Sequence, residues 1–172
     1  MKRLTPVLIA LAVFVVACGG DDSPTSPSPL TTARFTAQLL PGNEVPAVTN
    51  ADGSASGTST ITLNLTRDSG GTLTAATVDI TTTVSGFVAG TTVTAAHIHR
   101  AAAGVNAGVL LGQFGAGELT LTNGGGTITR TGLTMPVTDA QGMLDNPAGH
   151  YFNVHTQLNP AGAIRGQLTR TQ

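Results

Sequence analysis

Residues 54–84 read SASGTSTITLNLTRDSGGTLTAATVDITTTV, and the pattern of their side chains decides the fold. In the first half, the apolar residues Ile61, Leu63 and Leu65 alternate with polar ones. The second half repeats this alternation over residues 76–84. Because successive side chains of a strand point to opposite faces, each run predicts a strand with one buried face. The segment RDSGG between the runs is rich in turn formers and predicts a hairpin.

Similar short runs continue on both sides of this hairpin. Residues 33–40 form one run, and TTVTAAHIH, VLLGQF, YFNVHT and AIRGQLTR follow downstream. GELTLTN and TITRTGLTM flank three consecutive glycines, which predicts a second hairpin. TDAQGMLDN predicts one or two helical turns with Thr138 as the N-cap. Roughly eight short strands with one short helix predict an all-β fold, either a β-sandwich or a Greek-key barrel.

The composition favours a single β domain and excludes several classes of function. The chain has 172 residues, a net charge of -1 and only 10% charged residues, so nucleic-acid binding has no basic surface to support it. With 3% aromatic residues and no Trp, the core must be aliphatic. The sequence has no phosphate loop, no G-x-S-x-G elbow, no H-E-x-x-H motif and no evident carboxylate pair for glycoside cleavage.

The N-terminal segment predicts a secretion signal. A positively charged start precedes a short apolar stretch, which ends at Val15-Val16-Ala17-Cys18. This order resembles the bacterial lipobox, in which the peptide is cut before Cys and that Cys receives lipid. Residues 1–17 are therefore predicted to be a lipoprotein signal peptide. The alternative is an ordinary secretory signal that happens to precede a cysteine.

Lipid on Cys18 would anchor the protein in a membrane, and residues 18–32 would form a Ser/Pro-rich linker below a folded domain of residues 33–172. By resemblance to Gram-negative lipoproteins, Gly19 favours the outer membrane. The predicted location is the cell envelope, outside the cytoplasm, at the outer membrane or the cell surface. Because the chain has one Cys, the domain is predicted to lack a disulfide.

Four motifs occur in an order that resembles one known family. They are LLPGNEVPAV, AAHIHRAAAGVNAGVLL, GHYFNVHT and NPAGAIRGQL. Together they resemble the chordin-type (CHRD) domain, which is found in chordin and in many bacterial secreted proteins. The resemblance implies an immunoglobulin-like β-barrel and, by analogy with chordin, a role in binding a protein or glycan partner.

The chain departs from the family pattern at three positions. Ala47 stands where the pattern has the second Pro of N-E-V-P-P, and Ala107 displaces the Gly that follows Asn106. Ala163 replaces the Glu of G-E-I-R-G. This last change removes a carboxylate next to Arg165, so a role that depends on that pair is weakened.

The histidines of TTVTAAHIH predict a candidate metal site. On a regular strand, one face would carry Val93, Ala95, His97 and His99. Two imidazoles at this spacing can converge on one cation, and copper and zinc are the metals considered. In YFNVHT, His155 is the natural third ligand, whereas His150 has the opposite strand parity and is a weaker candidate.

The same histidines could instead belong to a structural hydrogen-bond network that includes Asn153 and Thr156. Arg165 could then donate to backbone carbonyls or to Glu44, with a bidentate geometry that suits guanidinium. Glu44 has its own alternative, as a solvated carboxylate on a loop. Both the metal site and the structural network stay open at this point.

The H-x-H strand and the late Gly-Arg segment also resemble Cu/Zn superoxide dismutase, another Greek-key barrel. The loop after His99, however, has no histidine and aspartate cluster for a zinc site. Three hypotheses follow: a membrane-anchored, non-enzymatic binding module, a copper- or zinc-binding domain using His97, His99 and His155, and a dismutase-like oxidoreductase.

Overall fold

A computed structural model describes residues 31–172, so the predicted signal peptide, Cys18 and most of the predicted linker lie outside the described residues. Within this range the chain forms ten strands and one short α-helix. The strands are β1 (Thr32–Leu39), β2 (Ser56–Arg67), β3 (Leu73–Ser85), β4 (Thr91–His99), β5 (Val109–Phe114), β6 (Leu119–Leu121), β7 (Gly126–Met135), β8 (Tyr151–Thr156), β9 (Ile164–Gln167) and β10 (Thr169–Arg170), and the helix is α1 (Val137–Asp145). Within this range, no helix is long and apolar enough to cross a membrane.

Two antiparallel sheets pack around one core, which is the all-β sandwich that the alternation predicted. Sheet A has the strand order β10-β1-β2-β3-β7. Sheet B has the order β5-β4-β8-β9, and β6 pairs with β4 beside β5. Leu40 and Arg165 exchange backbone hydrogen bonds of 3.1 Å in both directions, so the end of β1 also joins β9. This bridge closes the sandwich along one side.

The central hairpin is present, with the predicted buried faces. Ile61 lies opposite Ile80 and Leu63 opposite Val78, and all four side chains are fully buried. At the turn, the Asp68 carboxylate accepts from two backbone amides. Burial of each such aliphatic side chain stabilises the fold by about 1.5–3 kcal/mol. This hairpin therefore supplies the base of the core on which sheet B packs.

The prediction that Val93 shares a face of β4 with His97 and His99 is wrong. Val93 is fully buried in the core together with Ala96 and Ile98, rather than on the face of the histidines. The register of β4 against β8 shifts between Val93 and Ala95, which marks a β-bulge. Because a bulge adds one residue to a strand, it reverses the parity that a regular strand would keep. Beyond the bulge, His97 and His99 face away from the core.

The hairpin predicted around the three glycines is also wrong. β6 pairs with β4 in sheet B, whereas β7 pairs with β3 in sheet A, so this connection crosses between the sheets. At Gly124 the chain passes so close to Phe87 that an added Cβ would meet its carbonyl oxygen. Gly124 also has a φ of 73°. The glycines therefore serve a tight crossing rather than a two-stranded turn.

The helix predicted near TDAQGMLDN is present but begins earlier. α1 starts at Val137 with Pro136 as its N-cap, so Thr138 lies inside the first turn. Its buried residues, Ala140 and Met143, belong to the core. The helix packs against β3, and its Gly142 lies close to the side chains of Arg100 and His150.

Candidate metal centre

The candidate site lies on the outer face of sheet B. On β4, β8 and β9 the residues that pack into the core alternate with polar ones on the opposite face. Cross-strand pairing places His97 beside Asn153, and Asn153 beside Arg165. The neighbouring pairs are His99 with Tyr151 and Ala95 with His155. We call the following set the polar centre: Glu44, His97, His99, Tyr151, Asn153, His155 and Arg165.

Two loops fold over this face and bury most of it. The segment after β1 brings Glu44 against the sheet, and the segment after β4 supplies contacts from Val105, Asn106 and Ala107. As a result Arg165 is 1% exposed, although its strand face points away from the core. In contrast, His97 and His155 are only partly buried, so solvent reaches one side of the polar centre.

The structure brings His97, His99 and His155 together. One ring nitrogen from each lies within 4.8 Å of the other two. Nδ1 of His97 and Nε2 of His155 are 3.2 Å apart. With metal–nitrogen distances of 2.0–2.1 Å, the edge of a tetrahedral site is about 3.3 Å. One edge of the triangle already has this length, and the other two are no longer than 4.8 Å.

Backbone carbonyls fix the tautomer of two of these rings. Nδ1 of His99 lies 3.0 Å from the carbonyl oxygens of both Ala107 and Gly108, and Nδ1 of His155 lies 3.0 Å from that of Pro160. A carbonyl oxygen only accepts, so each Nδ1 carries the proton and donates it. In the neutral rings, Nε2 is then left with a lone pair that points into the polar centre. Metal-ligating histidines commonly have this arrangement.

Burial favours the neutral form of the rings. Burial, followed by the nearby His155 and His99, lowers the pKa of His97 to about 4. Burial also lowers the pKa of His155, and this effect exceeds the opposing one of the hydrogen bond to Pro160. Neutral imidazole is the form that binds metals. Both rings are therefore neutral at pH 7 and offer lone pairs to a cation.

Asn153 lies at the middle of the polar centre. Its Oδ1 is 3.0 Å from Nε2 of His99 and 3.0 Å from Nε2 of His155. Its side chain also interacts with the carboxyl group of Glu44 and lowers the pKa of that group. Because a carboxylate accepts, the Asn153 amide nitrogen faces Glu44 and the amide oxygen faces the histidines. Asn153 thus connects the Glu44 loop to the imidazoles.

Glu44 is a buried carboxyl group, so its interpretation as a solvated loop residue is wrong. It is 6% exposed, and its Oε1 has no hydrogen-bond partner. Burial raises the pKa of Glu44 to about 7, and the opposing effects of Arg165, Asn153 and the Val45 backbone only partly offset it. Oε2 of Glu44 lies 4.0 Å from Nη1 of Arg165, so one carboxyl group is near this guanidinium although residue 163 is Ala.

Arg165 holds the covering loop in place. Its Nη1 donates to Oδ1 of Asn106 at 2.8 Å, and its Nη2 donates to the Val105 carbonyl at 3.0 Å. The guanidinium carbon also lies 3.9 Å from the centre of the Tyr151 ring, which is within cation–π distance. Of the two partners that the sequence suggested for Arg165, the structure shows a backbone carbonyl, whereas Glu44 lies 4.0 Å away without the bidentate geometry.

Tyr151 is the member of the polar centre to which the sequence assigned no role. Its ring stacks on that of His99, with 4.6 Å between centroids and an angle of 7° between the planes. Its hydroxyl accepts a hydrogen bond from the Ala107 amide at 3.3 Å. The available signal was strand parity, since Tyr151 shares a face with Asn153 and His155. Stacking restricts the orientation in which His99 can present Nε2.

Two other residues lie outside the polar centre. Thr156, predicted to join the network of Asn153, is fully buried and donates instead to Asp52 at 2.7 Å. Strand parity explains the error, because Thr156 shares its face with Phe152 and Val154 in the core. His150 donates through Nδ1 to the Asn146 carbonyl at 3.0 Å, away from the three histidines.

Comparison with known proteins gives one match. The family model of the CHRD domain matches residues 35–168, a range that contains every residue of the polar centre. No curated protein and no solved structure matches the chain. The likeness to Cu/Zn superoxide dismutase therefore stays a prediction.

Proposed function

Since the chain belongs to the CHRD domain family, we propose that it is a non-enzymatic binding module of the cell envelope that holds one copper or zinc ion. The ligands would be His97, His99 and His155. The observation that carries this proposal is their convergence, with ring nitrogens within 4.8 Å of one another. Copper and zinc are the favoured metals because imidazole is a ligand that suits both.

Two further features of the polar centre support metal binding over a purely structural network. The carbonyls of Ala107, Gly108 and Pro160 take the Nδ1 protons of His99 and His155, which leaves each Nε2 free to ligate. His97 and His155 are partly exposed, so an ion has a route to the site. In a purely structural network, each of these lone pairs would instead be expected to face a hydrogen-bond donor.

The number of side-chain groups that could hold a metal ion favours simple binding over dismutase chemistry. Within residues 31–172, His97, His99 and His155 form the one group of three or more His, Cys, Asp or Glu side chains close enough to hold an ion. A copper–zinc dismutase site would need a second such group. A single ion in a mostly buried centre suits capture of a metal or stabilisation of the fold.

Metal binding is tested on the full chain, purified in detergent without a histidine tag. We expect about one equivalent of zinc or copper per chain by elemental analysis, and calorimetry should give a dissociation constant at least about 100-fold weaker for His97→Ala. His150→Ala is the matched control, because His150 is buried but outside the polar centre. Equal binding by His97→Ala, His150→Ala and the unchanged chain would contradict the proposal.

The envelope location is proposed from the lipobox around Cys18, which lies outside the described residues. Lipid on this residue would hold the domain at a membrane through buried acyl chains. Cys18→Ser should move the protein from the membrane fraction to the soluble fraction after cell breakage. If the variant stays with the membranes, the anchor is something other than lipid on Cys18.

A second candidate is binding of a neutral glycan, which a cavity of about 500 Å³ beside the polar centre favours. Amide side chains of Gln38, Asn43 and Gln167 line this cavity, and such groups suit hydroxyl-rich ligands. Neutral oligosaccharides should then bind the full chain and bind less well to Gln38→Ala. Binding that is the same in both proteins would count against this cavity as the site.

A further inference from the structure

The polar centre brings more lone pairs to one point than its three histidines supply. Oδ1 of Asn153 lies 3.0 Å from Nε2 of both His99 and His155, and Nδ1 of His97 is 3.2 Å from the latter. These separations are close to the edge of about 3.3 Å expected between ligands of a tetrahedral zinc site. Four potential ligand atoms, rather than three, therefore surround one position.

The contacts of Asn153 are also unfavourable without a cation. In neutral His155, the Nδ1 proton is given to Pro160, so Nε2 is an acceptor. Oδ1 of Asn153 is an acceptor as well, and the two atoms face each other at 3.0 Å. Two acceptors at this distance in a partly buried site repel unless a positive charge lies between them. A metal ion would turn this repulsion into coordination.

Glu44 holds the Asn153 amide in this orientation. The carboxyl group of Glu44 interacts with the Asn153 side chain. On its other side lies Gly162, where an added Cβ would be 2.5 Å from Oε1 of Glu44. Rotation of the amide by half a turn would bring the Asn153 oxygen against the carboxylate. The Asn153 oxygen is thereby directed at the histidines by a second, independent contact.

We propose that Oδ1 of Asn153 is the fourth ligand of the metal ion and closes its coordination sphere. This inference rests on the proposed function of the three histidines. Structural zinc sites have four protein ligands, whereas catalytic ones keep a position for water. With Asn153 in the fourth position, the site retains its ion and offers no place for a reacting water. The proposal thus gives the physical reason why the module binds metal without catalysis.

The inference is tested with cobalt(II), which has visible absorption bands, as the probe ion in the full chain. The bands of the unchanged protein should be constant from pH 7 to pH 9, because no water is bound. In Asn153→Ala a water should take the fourth position, and the bands should shift with a midpoint near neutral pH as it ionises. The zinc dissociation constant should also weaken on the order of 100-fold.

Asn153→Asp combined with Glu44→Gln keeps an oxygen at the same place and an amide donor between the two side chains, so this double variant should retain the pH-independent spectrum even if Asn153→Ala fails to fold. Asn64→Ala, on the opposite sheet, is the control and should behave like the unchanged protein. A pH-dependent shift already present in the unchanged protein would overturn the fourth-ligand proposal, as would identical spectra in Asn153→Ala. If His97→Ala abolishes cobalt binding at the same time, the proposed function still stands. If the unchanged protein binds no cobalt or zinc, both proposals fall.

Discussion

Among the buried polar clusters within residues 31–172, two satisfy their hydrogen bonds in opposite ways. The first lies between the sheets and consists of Ser59, Thr82 and Gln113, all at most 3% exposed. Thr82 donates to Oε1 of Gln113 at 2.8 Å, so the Ser59 hydroxyl must donate to Thr82 at 3.1 Å. The amide nitrogen of Gln113 then donates to the carbonyls of Ile80 and Ile128.

The second cluster is the polar centre, and its hydrogen bonds do not close in the same way. Oδ1 of Asn153 lies 3.0 Å from Nε2 of both His99 and His155, and Oε1 of Glu44 has no partner. A closed set of donors and acceptors needs nothing more and serves to join the sheets. Nδ1 of His97 can donate to Nε2 of His155, but Oδ1 of Asn153 also faces that nitrogen, and a cation between them would satisfy both. The difference separates a structural cluster from a candidate binding site within one domain.

The largest effect is expected when the polar centre loses its guanidinium. Arg165→Ala removes two loop hydrogen bonds and the contact with Tyr151, and it leaves Glu44 buried without its positive neighbour. We expect a loss of about 3–5 kcal/mol in the free energy of unfolding, measured by urea denaturation. Arg170→Ala, at an exposed position, is the control and should cost little. A similar small loss in both variants would mean that Arg165 does not organise the loops.

Steric pressure on Glu44 should have the next largest effect. At Gly162, with a φ of 136°, Ala would be strained, and its Cβ would lie 2.5 Å from Oε1 of Glu44. Gly162→Ala should therefore cost about 3 kcal/mol and also weaken zinc binding, because Asn153 loses its support. Gly117→Ala is matched, since φ is 83° there and no atom lies within 4 Å. Equal losses of stability, with zinc binding intact, would show that backbone strain alone is responsible.

A substitution in the cluster of Ser59, Thr82 and Gln113 should lower the stability of the fold and leave zinc binding unchanged. Gln113→Leu removes the acceptor of Thr82 and the donor to two carbonyls, so we expect a loss of about 2 kcal/mol. The zinc dissociation constant should not change, because this cluster lies on the other side of sheet B. Gln157→Leu, at an exposed position, serves as the control. A change in zinc affinity comparable to that of Asn153→Ala would erase the distinction between the clusters.

The sequence pattern identified the buried and exposed faces of the regular strands, but not those of strands that contain a bulge or a tight crossing. Alternation in residues 54–84 predicted the buried faces of the hairpin, because local pattern and strand pairing agree there. It failed at Val93, since a bulge depends on how β8 pairs with β4 and leaves no local trace. It failed again at the three glycines, because a glycine run marks a close approach without saying which chain approaches.

The site was partly predictable for a similar reason. Parity in HIH and YFNVHT placed the histidines and Asn153 on outer faces, and the pairing of β4 with β8 then joined them. The burial of Glu44 could not be predicted, because it depends on a loop that folds back over sheet B. Neither could the tautomers, which carbonyls of other loops determine. Features set by contacts distant in sequence were the ones that pattern alone missed.

The smallest effect concerns His150, a buried histidine outside both clusters. Burial lowers its pKa, and the nearby Arg100 acts in the same direction, against the hydrogen bond to Asn146 and the Asp139 carboxylate. The folded protein therefore binds a proton at His150 less readily than the unfolded chain, in which the pKa of this histidine has its ordinary value of 6.5. The contribution of neutral His150 to the free energy of unfolding is fully present above pH 6.5 and is lost as the pH falls below that value.

His150→Gln should therefore flatten, slightly, the decline in unfolding free energy between pH 7 and pH 5, measured by urea denaturation with a chelator present. The other histidines are the same in both proteins, so the difference between the two slopes isolates His150. Asp139→Asn offers a check of sign, because removing that carboxylate should lower the pKa of His150 further and steepen the decline. Parallel pH profiles in all three proteins would mean that His150 does not change its proton affinity on folding.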